Sequence, residues 1–179
     1  MNPRIAKFFM VSNEQWNKDS KELGCKAKYE DIVLPVRKTA GSAGYDLIMS
    51  KGLTIQPKTQ LTIPTGLRCR IDSGYVLLFF PRSSLGFKYG MRIVNTVGVI
   101  DSDYFHAKNE GHIIIGVENP SDKEIVIKPG DGLCQGIFFP FGITTDDEAD
   151  GVRTGGIGST DGAGQYADQP TMRTLEPAT

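Results

Sequence analysis

Strand signals dominate this chain and set the class of fold that it can adopt. The segment "TIQPKTQLTIPTGLRCRIDSGY", residues 54–75, alternates apolar and polar side chains between glycine and proline turns. A period of two places the apolar side chains on one face of a strand, and the turns keep each strand short. Many short strands with little helix indicate an all-β sandwich, jelly roll or small barrel. We predict strands at residues 5–11, 31–35, 53–55, 61–64, 66–71, 75–80, 113–118, 124–127 and 133–139, with another strand ending at 98–100.

Helical signals are confined to two places. Residues 13–23, "NEQWNKDSKEL", form the best helix candidate, which Ser12 or Asn13 can cap. A second, short helical turn is expected to start at Ser83. The chain therefore has a helical segment near its N-terminus but remains a β protein.

The end of the chain differs in composition from the rest. From Thr144 onward apolar residues become sparse, and "TTDDEADGVRTGGIGSTDGAG" follows. Such a segment cannot bury much surface. We predict one domain over residues 1–145 and a flexible, glycine-rich arm and tail over residues 146–179.

Charge and cysteine content exclude several functional classes. The 179 residues include 20 basic and 21 acidic side chains, so that the net charge of -1 favours neither nucleic acid nor a membrane surface. No apolar run approaches the ~20 residues that span a bilayer, and "MNPRIAKFF" is too short for a secretory signal. Cys25, Cys69 and Cys134 are odd in number and widely spaced, which favours reduced thiols. We expect a soluble, cytoplasmic protein without nucleic-acid or membrane partners.

Glycine and serine cluster in three stretches that are candidates for ligand loops. None has the phosphate-loop spacing G-x-x-x-x-G-K-[ST], and no G-x-G-x-x-G opens a helix, so each alone is typical of a turn. The backbone N–H groups of Ser83 and Ser84, beside Arg82, would nevertheless suit an anion at the start of a helical turn. The stretches are "AGSAGYDL" (40–47), "PRSSLGFKYG" (81–90) and "RTGGIGSTDG" (153–162).

Together with "NTVGVIDSDY" and "GDGLCQGIF", these stretches closely resemble the five ordered motifs of the trimeric dUTPase family. The resemblance covers residues 5–162. It implies a jelly-roll subunit and a homotrimer whose three active sites each draw on all three subunits, with the C-terminal arm reaching onto a neighbour. It also implies hydrolysis of dUTP to dUMP and pyrophosphate with Mg²⁺.

The chemistry of this reaction assigns roles to residues in the motifs. Hydrolysis of a phosphoanhydride needs an activated water, charge neutralisation and in-line positioning. Asp101 would be the base, because an aspartate is ionised at neutral pH and can accept a proton from water. Ser83 would donate to the oxygen that leaves the α-phosphorus, and Arg82 would neutralise phosphate charge. Asp103 fits a turn former or a supporting partner better.

Base and sugar selection are expected from the segment around Asp101. The hairpin before it would pair its backbone with the uracil edge and reject cytosine by donor and acceptor mismatch. Asn95 matches a position that contacts uracil, and Gly98 would let the backbone come close. Tyr104 would lay its ring under the deoxyribose and leave no room for a 2′-hydroxyl.

The remaining candidates concern the triphosphate, the metal and the arm. Ser84 and Gln135 would donate to phosphate oxygens, and Asp46 would contact the waters of Mg²⁺, which binds mainly through substrate phosphates. The arm would close over the β- and γ-phosphates as a lid, with Ile157 covering the base. Its phosphate-binding residues would be Arg153, Gly155, Gly156, Ser159 and Thr160.

The chain departs from the family pattern at four points. Gly132 stands where the family usually has arginine, and Ile157 where it usually has phenylalanine. The spacing from Arg153 to the glycine pair is one residue shorter than the commonest pattern. "FHAKN" inserts five residues after Tyr104, and we interpret it as a solvated loop, since surface loops tolerate insertions.

Two other functional classes remain as alternatives. A dCTP deaminase, or its bifunctional form, shares the fold but needs a glutamate three residues before the asparagine that ends the corresponding strand. Gly116 occupies that place ahead of Asn119, and we expect Glu118 to lie on the opposite face, which disfavours deamination. A non-enzymatic jelly-roll binding protein would not need the candidate residues together.

Overall fold

The computed structural model of the chain describes residues 2–155, and short β-strands make up most of its regular structure. Within this range, two α-helices, α1 (Asn13–Glu22) and α2 (Ser83–Tyr89), and two 3₁₀ helices, Tyr29–Asp31 and Ser102–His106, interrupt the strands. The all-β prediction is confirmed. The strands are β1 (Ala6–Met10), β2 (Tyr45–Ile48), β3 (Leu53–Ile55), β4 (Thr59–Pro64), β5 (Leu67–Ile71), β6 (Tyr75–Pro81), β7 (Arg92–Ile93), β8 (Gly98–Ile100), β9 (Ile114–Asn119), β10 (Ile125–Ile127) and β11 (Gly132–Pro140).

Strands that are distant in sequence become antiparallel neighbours. In the described part of the chain the sheets have the orders β1-β5, β3-β10, β4-β9-β7 and β2-β11-β6-β8. In the last sheet, Gln135 of β11 lies opposite Asp46 of β2 on one side and Phe80 of β6 on the other. β6 also pairs with β8, where Leu77 lies opposite Ile100. This one sheet therefore carries four of the five sequence motifs.

Apolar side chains from nearly every strand form the buried core. They occupy alternate strand positions, as the period of two predicts. Cys69 and Cys134 belong to this core, and the three cysteines are free thiols. Burial raises the pKa of the Cys69 thiol to about 12, so this thiol stays protonated and unreactive. Other core residues include Leu53, Ile55, Ile63, Leu67, Leu77, Phe79, Ile93, Ile113, Val117, Ile125 and Leu133.

Helix α1 begins where the sequence predicts it. Ser12 is the N-cap, and its hydroxyl accepts a hydrogen bond from the Gln15 N–H (3.1 Å). Trp16, Asp19 and Ser20 are three and four residues apart, and this spacing places them together on the buried face. Neither helix in the described residues has the length or the apolar run that a membrane crossing requires.

Local signals failed at three elements. The strand predicted at residues 31–35 is wrong, because Asp31 ends a 3₁₀ helix and irregular backbone follows it. The Asp31 carboxylate accepts the Lys28 N–H (3.0 Å), and Pro35 has no N–H for a ladder. β2 and β7 were not predicted, because β2 directly follows a glycine-serine cluster and β7 has only two residues.

Candidate active site

The segment that opens α2 presents candidate phosphate-binding groups. Arg82 is the N-cap, and its carbonyl accepts the N–H groups of Leu85 and Gly86. The amides of Ser83 and Ser84 precede these and have no carbonyl within the helix to which they can donate. Both serines are exposed. Their amides and hydroxyls are therefore available to an anion.

The Asp46 carboxylate on β2 forms ion pairs with two basic side chains near the start of α2. One carboxylate oxygen lies 3.7 Å from Nε of Arg82, and the other lies 3.5 Å from Nζ of Lys38. Sequence reasoning missed Lys38, although the basic pair "RK" just before "TAGSAGYDL" was an available signal. Two cations around one carboxylate leave this cluster with a net positive charge, which favours a phosphate ligand.

Gln135 joins the same cluster from β11. It lies opposite Asp46 in the strand register. A Cβ atom at Gly44 would lie 2.5 Å from Oε1 of Gln135. The second glycine of "AGSAGYDL" therefore provides space for the Gln135 amide.

The departure at Gly132 has a direct structural counterpart. A Cβ atom at this position would lie 2.8 Å from Cδ and 2.9 Å from Nη1 of Arg82. Where the family usually carries an arginine, this chain carries a glycine whose missing side chain leaves room for Arg82.

The loop between β7 and β8 carries the candidate base-binding residues. The predicted hairpin is not formed by these two strands, because β7 pairs with β9 and β8 pairs with β6 in another sheet. Asn95 is exposed, and its carbonyl accepts the Val97 N–H (2.7 Å). Thr96 has φ of 68°, a left-handed conformation that β-branched residues rarely adopt. A Cβ at Gly98 would lie 3.3 Å from Cβ of Phe79, so this glycine permits a close approach of β8 to β6. The left-handed Thr96 backbone and the close contact at Gly98 together constrain this loop.

A second group of candidate residues lies where β8 ends. The half-exposed carboxylates of Asp101 and Asp103 both accept hydrogen bonds from Nη1 of Arg153, at 2.8 and 3.1 Å. Partial burial lowers the pKa of the Arg153 guanidinium, but the bonds to these carboxylates raise it more, and its pKa lies above the ordinary value. Arg153 of the arm therefore contacts the candidate base of its own chain, a contact that the sequence did not indicate. The expected contact of the arm with a neighbouring subunit stays a prediction.

Tyr104 is buried beside these carboxylates. The Arg153 guanidinium lies over its ring, 5.2 Å from the centroid. Its hydroxyl donates to the His112 carbonyl (2.8 Å) and accepts from Nδ2 of Asn109 (2.9 Å). Burial raises the pKa of the phenol, so the hydroxyl remains a hydrogen-bond donor at neutral pH. Its place under a deoxyribose stays a prediction.

The insertion "FHAKN" is packed, and its interpretation as a solvated loop is wrong. Ala107 is buried, and the Phe105 ring lies 3.8 Å from the Arg68 guanidinium and 5.8 Å from the Phe9 ring. Arg68 also donates to the Phe105 carbonyl (2.6 Å). Phe105 of the insertion thus contacts Phe9 on β1 and Arg68 on β5, two strands that are distant from it in sequence. His106 and Lys108 are exposed.

The C-terminal arm is described as far as Gly155. The Lys108 N–H donates to the Thr154 carbonyl (3.3 Å), so the arm also contacts the insertion. The other predicted arm residues lie outside the described residues: Gly156, Ile157, Ser159 and Thr160. The division between a domain ending at residue 145 and an arm after it stays a prediction.

The two groups of candidate residues lie at opposite ends of β6. Asp101 follows Ile100, which lies opposite Leu77, whereas Arg82 follows the other end of the strand. Five residues separate Leu77 from Arg82, and at about 3.4 Å per residue they span about 17 Å. One chain therefore does not bring the candidate base next to the candidate phosphate-binding cluster.

Comparison with known proteins agrees with the motifs. Residues 30–160 match the family model of dUTPase. The deoxyuridine 5'-triphosphate nucleotidohydrolase of Lactococcus lactis is 41% identical over 142 residues, which cover 78% of this chain and 95% of the relative. The crystal structure of the Streptococcus mutans dUTPase has 33% identity and a TM-score of 0.59, covering 76% of this chain and 97% of that chain.

A solved structure of lower sequence identity resembles this chain in fold only. A mutant dUTPase from phage phi11 of S. aureus, which coordinates a structural Mg(II) ion, has 18% identity and a TM-score of 0.59. The match covers 83% of this chain and 98% of that chain. The motifs, the extent of the family match and the identity to curated relatives agree, and the chain is a hydrolase of nucleotide metabolism that belongs to the dUTPase family.

Proposed function

We propose that the protein hydrolyses dUTP to dUMP and pyrophosphate, with Asp101 activating the water that attacks the α-phosphorus. Family membership supports the reaction, and the exposed carboxylate at the end of β8 supports the role of Asp101. The water gives its proton to Asp101 as its oxygen bonds to phosphorus in line with the departing pyrophosphate. The Ser83 hydroxyl donates to the leaving oxygen, and Arg82 neutralises charge as it develops.

The separation along β6 supports a site shared between subunits. Asp101 follows the strand position opposite Leu77, which lies about 17 Å along β6 from Arg82. This separation favours a site in which the substrate draws on two chains. In the proposed homotrimer, Arg82, Ser83, Ser84 and Gln135 of one subunit meet Asp101 and Tyr104 of another. The positive cluster around Asp46 would then hold the phosphates, and the end of β8 would supply the base.

The loop between β7 and β8, together with Tyr104, would select the nucleoside. The constrained backbone from Asn95 to Gly98 presents donors and acceptors to the uracil edge, and a mismatched edge would leave buried polar groups unpaired. Tyr104 is already fixed by two hydrogen bonds to its hydroxyl. A rigid ring in this place would exclude a 2′-hydroxyl by contact.

Arg153 would change partners when the triphosphate binds. Its guanidinium donates hydrogen bonds to the carboxylates of Asp101 and Asp103. The phosphate oxygens of a triphosphate carry more negative charge and can accept the same guanidinium N–H groups. Transfer of Arg153 to the β- and γ-phosphates would free the Asp101 carboxylate to accept a proton from water. Ile157 would cover the base, while the rest of the arm closes over the phosphates through Gly155, Gly156, Ser159 and Thr160.

Mg²⁺ is the proposed metal cofactor. Within residues 2–155, no group of three or more His, Cys, Asp and Glu side chains could hold a metal ion by itself. The hard ion prefers phosphate oxygens and water, and Asp46, beside Arg82, could accept hydrogen bonds from those waters. The ion would neutralise triphosphate charge that Arg82 and Lys38 alone cannot balance.

One observation weighs against deamination. Gly116 supplies no carboxylate at the place of the deaminase base, and a Cβ there would lie 3.2 Å from Cγ2 of Val94, so any larger residue would need Val94 to shift slightly. Glu118 lies two residues from Gly116 and therefore on the same face of β9, so the expectation that it lies on the opposite face is wrong. Its carboxylate is held by Nε of Arg92 at 2.8 Å. The place of the deaminase base therefore carries no acidic side chain, and the Glu118 carboxylate nearby is paired with Arg92.

Product analysis with dUTP, dCTP, dTTP and UTP, each with Mg²⁺, tests the proposed function. We expect pyrophosphate and dUMP from dUTP, and at least about 100-fold lower kcat/KM for the other nucleotides. Ammonia released from dCTP would instead identify a deaminase. Binding of dUTP without any product would identify a binding protein.

Replacing Gly132 with Ala is expected to raise KM for dUTP several-fold. The new Cβ would collide with the flexible end of Arg82 and displace its guanidinium from the phosphate-binding cluster. Thermal unfolding should change little, because a surface-reaching arginine can move at modest cost. Gly142→Ala is the matched control, since a Cβ there meets nothing within 4 Å. Unchanged kinetics in Gly132→Ala would show that the position of Arg82 is unimportant.

A further inference from the structure

Helix α1 and the segment that follows Tyr104 hold each other in place, although about ninety residues separate them in sequence. The Ser12 N–H and hydroxyl both donate to the Glu110 carboxylate, at 2.8 and 2.6 Å. The rings of Trp16 and His112 lie 6.2 Å apart. The helix near the N-terminus and the insertion, neither of which the motifs explain, therefore form one packed unit.

A buried carboxylate–imidazole pair lies at the centre of this unit. His112 has no solvent exposure, and its Nδ1 contacts Oδ2 of Asp19 at 2.5 Å. Its Nε2 accepts the Gly66 N–H (2.8 Å). Since Nε2 is an acceptor, the ring proton lies on Nδ1 and is donated to Asp19. Both ring nitrogens therefore have hydrogen-bond partners, and these two bonds fix the orientation of the imidazole.

Asp19 is held as an anion although it is buried. Burial raises the pKa of its carboxyl, but the hydrogen bonds from His112 and from Nε2 of Gln15 (2.7 Å) lower it more, and its pKa lies below the ordinary value. A buried pair of this kind is a weak source of stability compared with apolar packing. What it provides is orientation, because both imidazole nitrogens have a defined partner and Oδ2 of Asp19 is held by both His112 and Gln15.

This pair connects directly to the tyrosine of the candidate active site. The His112 carbonyl accepts the Tyr104 hydroxyl (2.8 Å), and Asn109 of the insertion donates to the same hydroxyl (2.9 Å). Fixing the His112 ring also fixes the backbone that carries this carbonyl. The Tyr104 hydroxyl therefore has one defined acceptor and one defined donor.

We propose that Asp19, His112 and Asn109 are positioning residues that fix the Tyr104 ring and thereby set the discrimination between deoxyribose and ribose substrates. The inference rests on the proposed function, in which Tyr104 contacts the sugar. A ring held by two hydrogen bonds cannot tilt away from a 2′-hydroxyl, whereas a ring held by packing alone can. The insertion and α1 are then the parts of this chain that determine sugar selectivity.

The test compares kcat/KM for dUTP and UTP in Asp19→Asn and Asn109→Ala. We expect the dUTP/UTP ratio to fall about 3- to 10-fold in each, the effect of one hydrogen bond, with kcat for dUTP nearly unchanged. Asn17→Ala is the control on the same helix; it removes an exposed bond to Asn13 (3.1 Å) and should leave the ratio unchanged. If Asp19→Asn does not fold, Asn109→Ala carries the test, because Asn109 is only half-buried.

A double-mutant cycle separates positioning from general loss of structure. Tyr104→Phe removes the shared hydroxyl, so adding Asn109→Ala to it should lower the ratio no further. Lower thermal stability with an unchanged ratio in the single variants, or additive effects in the double variant, would overturn the proposal. Absence of dUTP hydrolysis in the unmodified protein would instead refute the proposed function, and calorimetric binding of dUTP and UTP would then compare the same ratio without turnover.

Discussion

Replacing Asp101 with Asn is expected to lower kcat for dUTP by about 100-fold or more, while the affinity for dUTP changes little. Asparagine keeps the size of the side chain and one acceptor oxygen for Arg153, but it cannot take a proton from water. Pyrophosphate release gives kcat, and calorimetry with the inactive variant gives the dissociation constant. Because the base acts on water and not on the nucleotide, binding should survive the change.

Asp103→Asn is the matched control for this experiment. Asp103 shares Nη1 of Arg153 with Asp101 and is exposed to a similar extent. We expect less than about 10-fold loss in kcat from it, since it holds the arginine without activating water. Near-normal turnover in Asp101→Asn would remove Asp101 from the mechanism. Large and equal losses in both variants would show that retaining Arg153, rather than accepting a proton, is the function of this pair.

Truncation after Asp150 is expected to reduce turnover sharply and leave the folded domain intact. The change removes Arg153 and the glycine-rich segment but keeps every strand of the described fold. The lost contacts include ion pairs with half-exposed carboxylates, the packing of the Arg153 guanidinium over the Tyr104 ring and one backbone bond to Lys108, which together contribute little stability. The β- and γ-phosphates lose their donors, and water is no longer excluded from them. Steady-state kinetics and thermal unfolding measure the two effects separately.

Truncation after Gly164 provides the comparison for the arm. It removes the last residues, "QYADQPTMRTLEPAT", and retains the whole segment from Arg153 to Gly162. We expect activity close to that of the full chain. Full activity after both truncations would mean that the arm has no part in catalysis, and equal losses would move the functional segment beyond residue 164.

The sequence predicted most strands of this fold because the alternation of apolar and polar residues is a property of each short segment by itself. Alternation of apolar and polar residues predicted β4 and β5 because each strand buries one face, and the pattern depends on no partner. It failed at residues 31–35, where an apolar run is preceded by a capping aspartate and followed by proline. It also missed β2, whose strand character arises from pairing with β11, which lies about ninety residues away.

In the candidate site, too, the sequence predicted the features that depend on local residue types and missed those that depend on contacts between distant segments. Motifs identify Arg82, Asp101 and Gln135 because their residue types and order are local properties. The space that Gly132 leaves for Arg82 is a property of two strands in contact, and no periodicity reports it. The same holds for the bond between Asp19 and His112, which are 93 residues apart. Neither residue belongs to a sequence motif, and their contact can be seen only in the folded structure.

In the proposed shared site, the placement of Asp101 and Arg82 at opposite ends of β6 would make catalysis depend on protein concentration. An isolated protomer of such an enzyme holds an acidic half-site and a basic half-site but no complete site. Dilution below the dissociation constant of the assembly would therefore extinguish activity without unfolding any chain, and the rate per protomer would fall more steeply than the protein concentration. A single defective protomer would also damage two sites at once, one through its base and another through its phosphate-binding cluster.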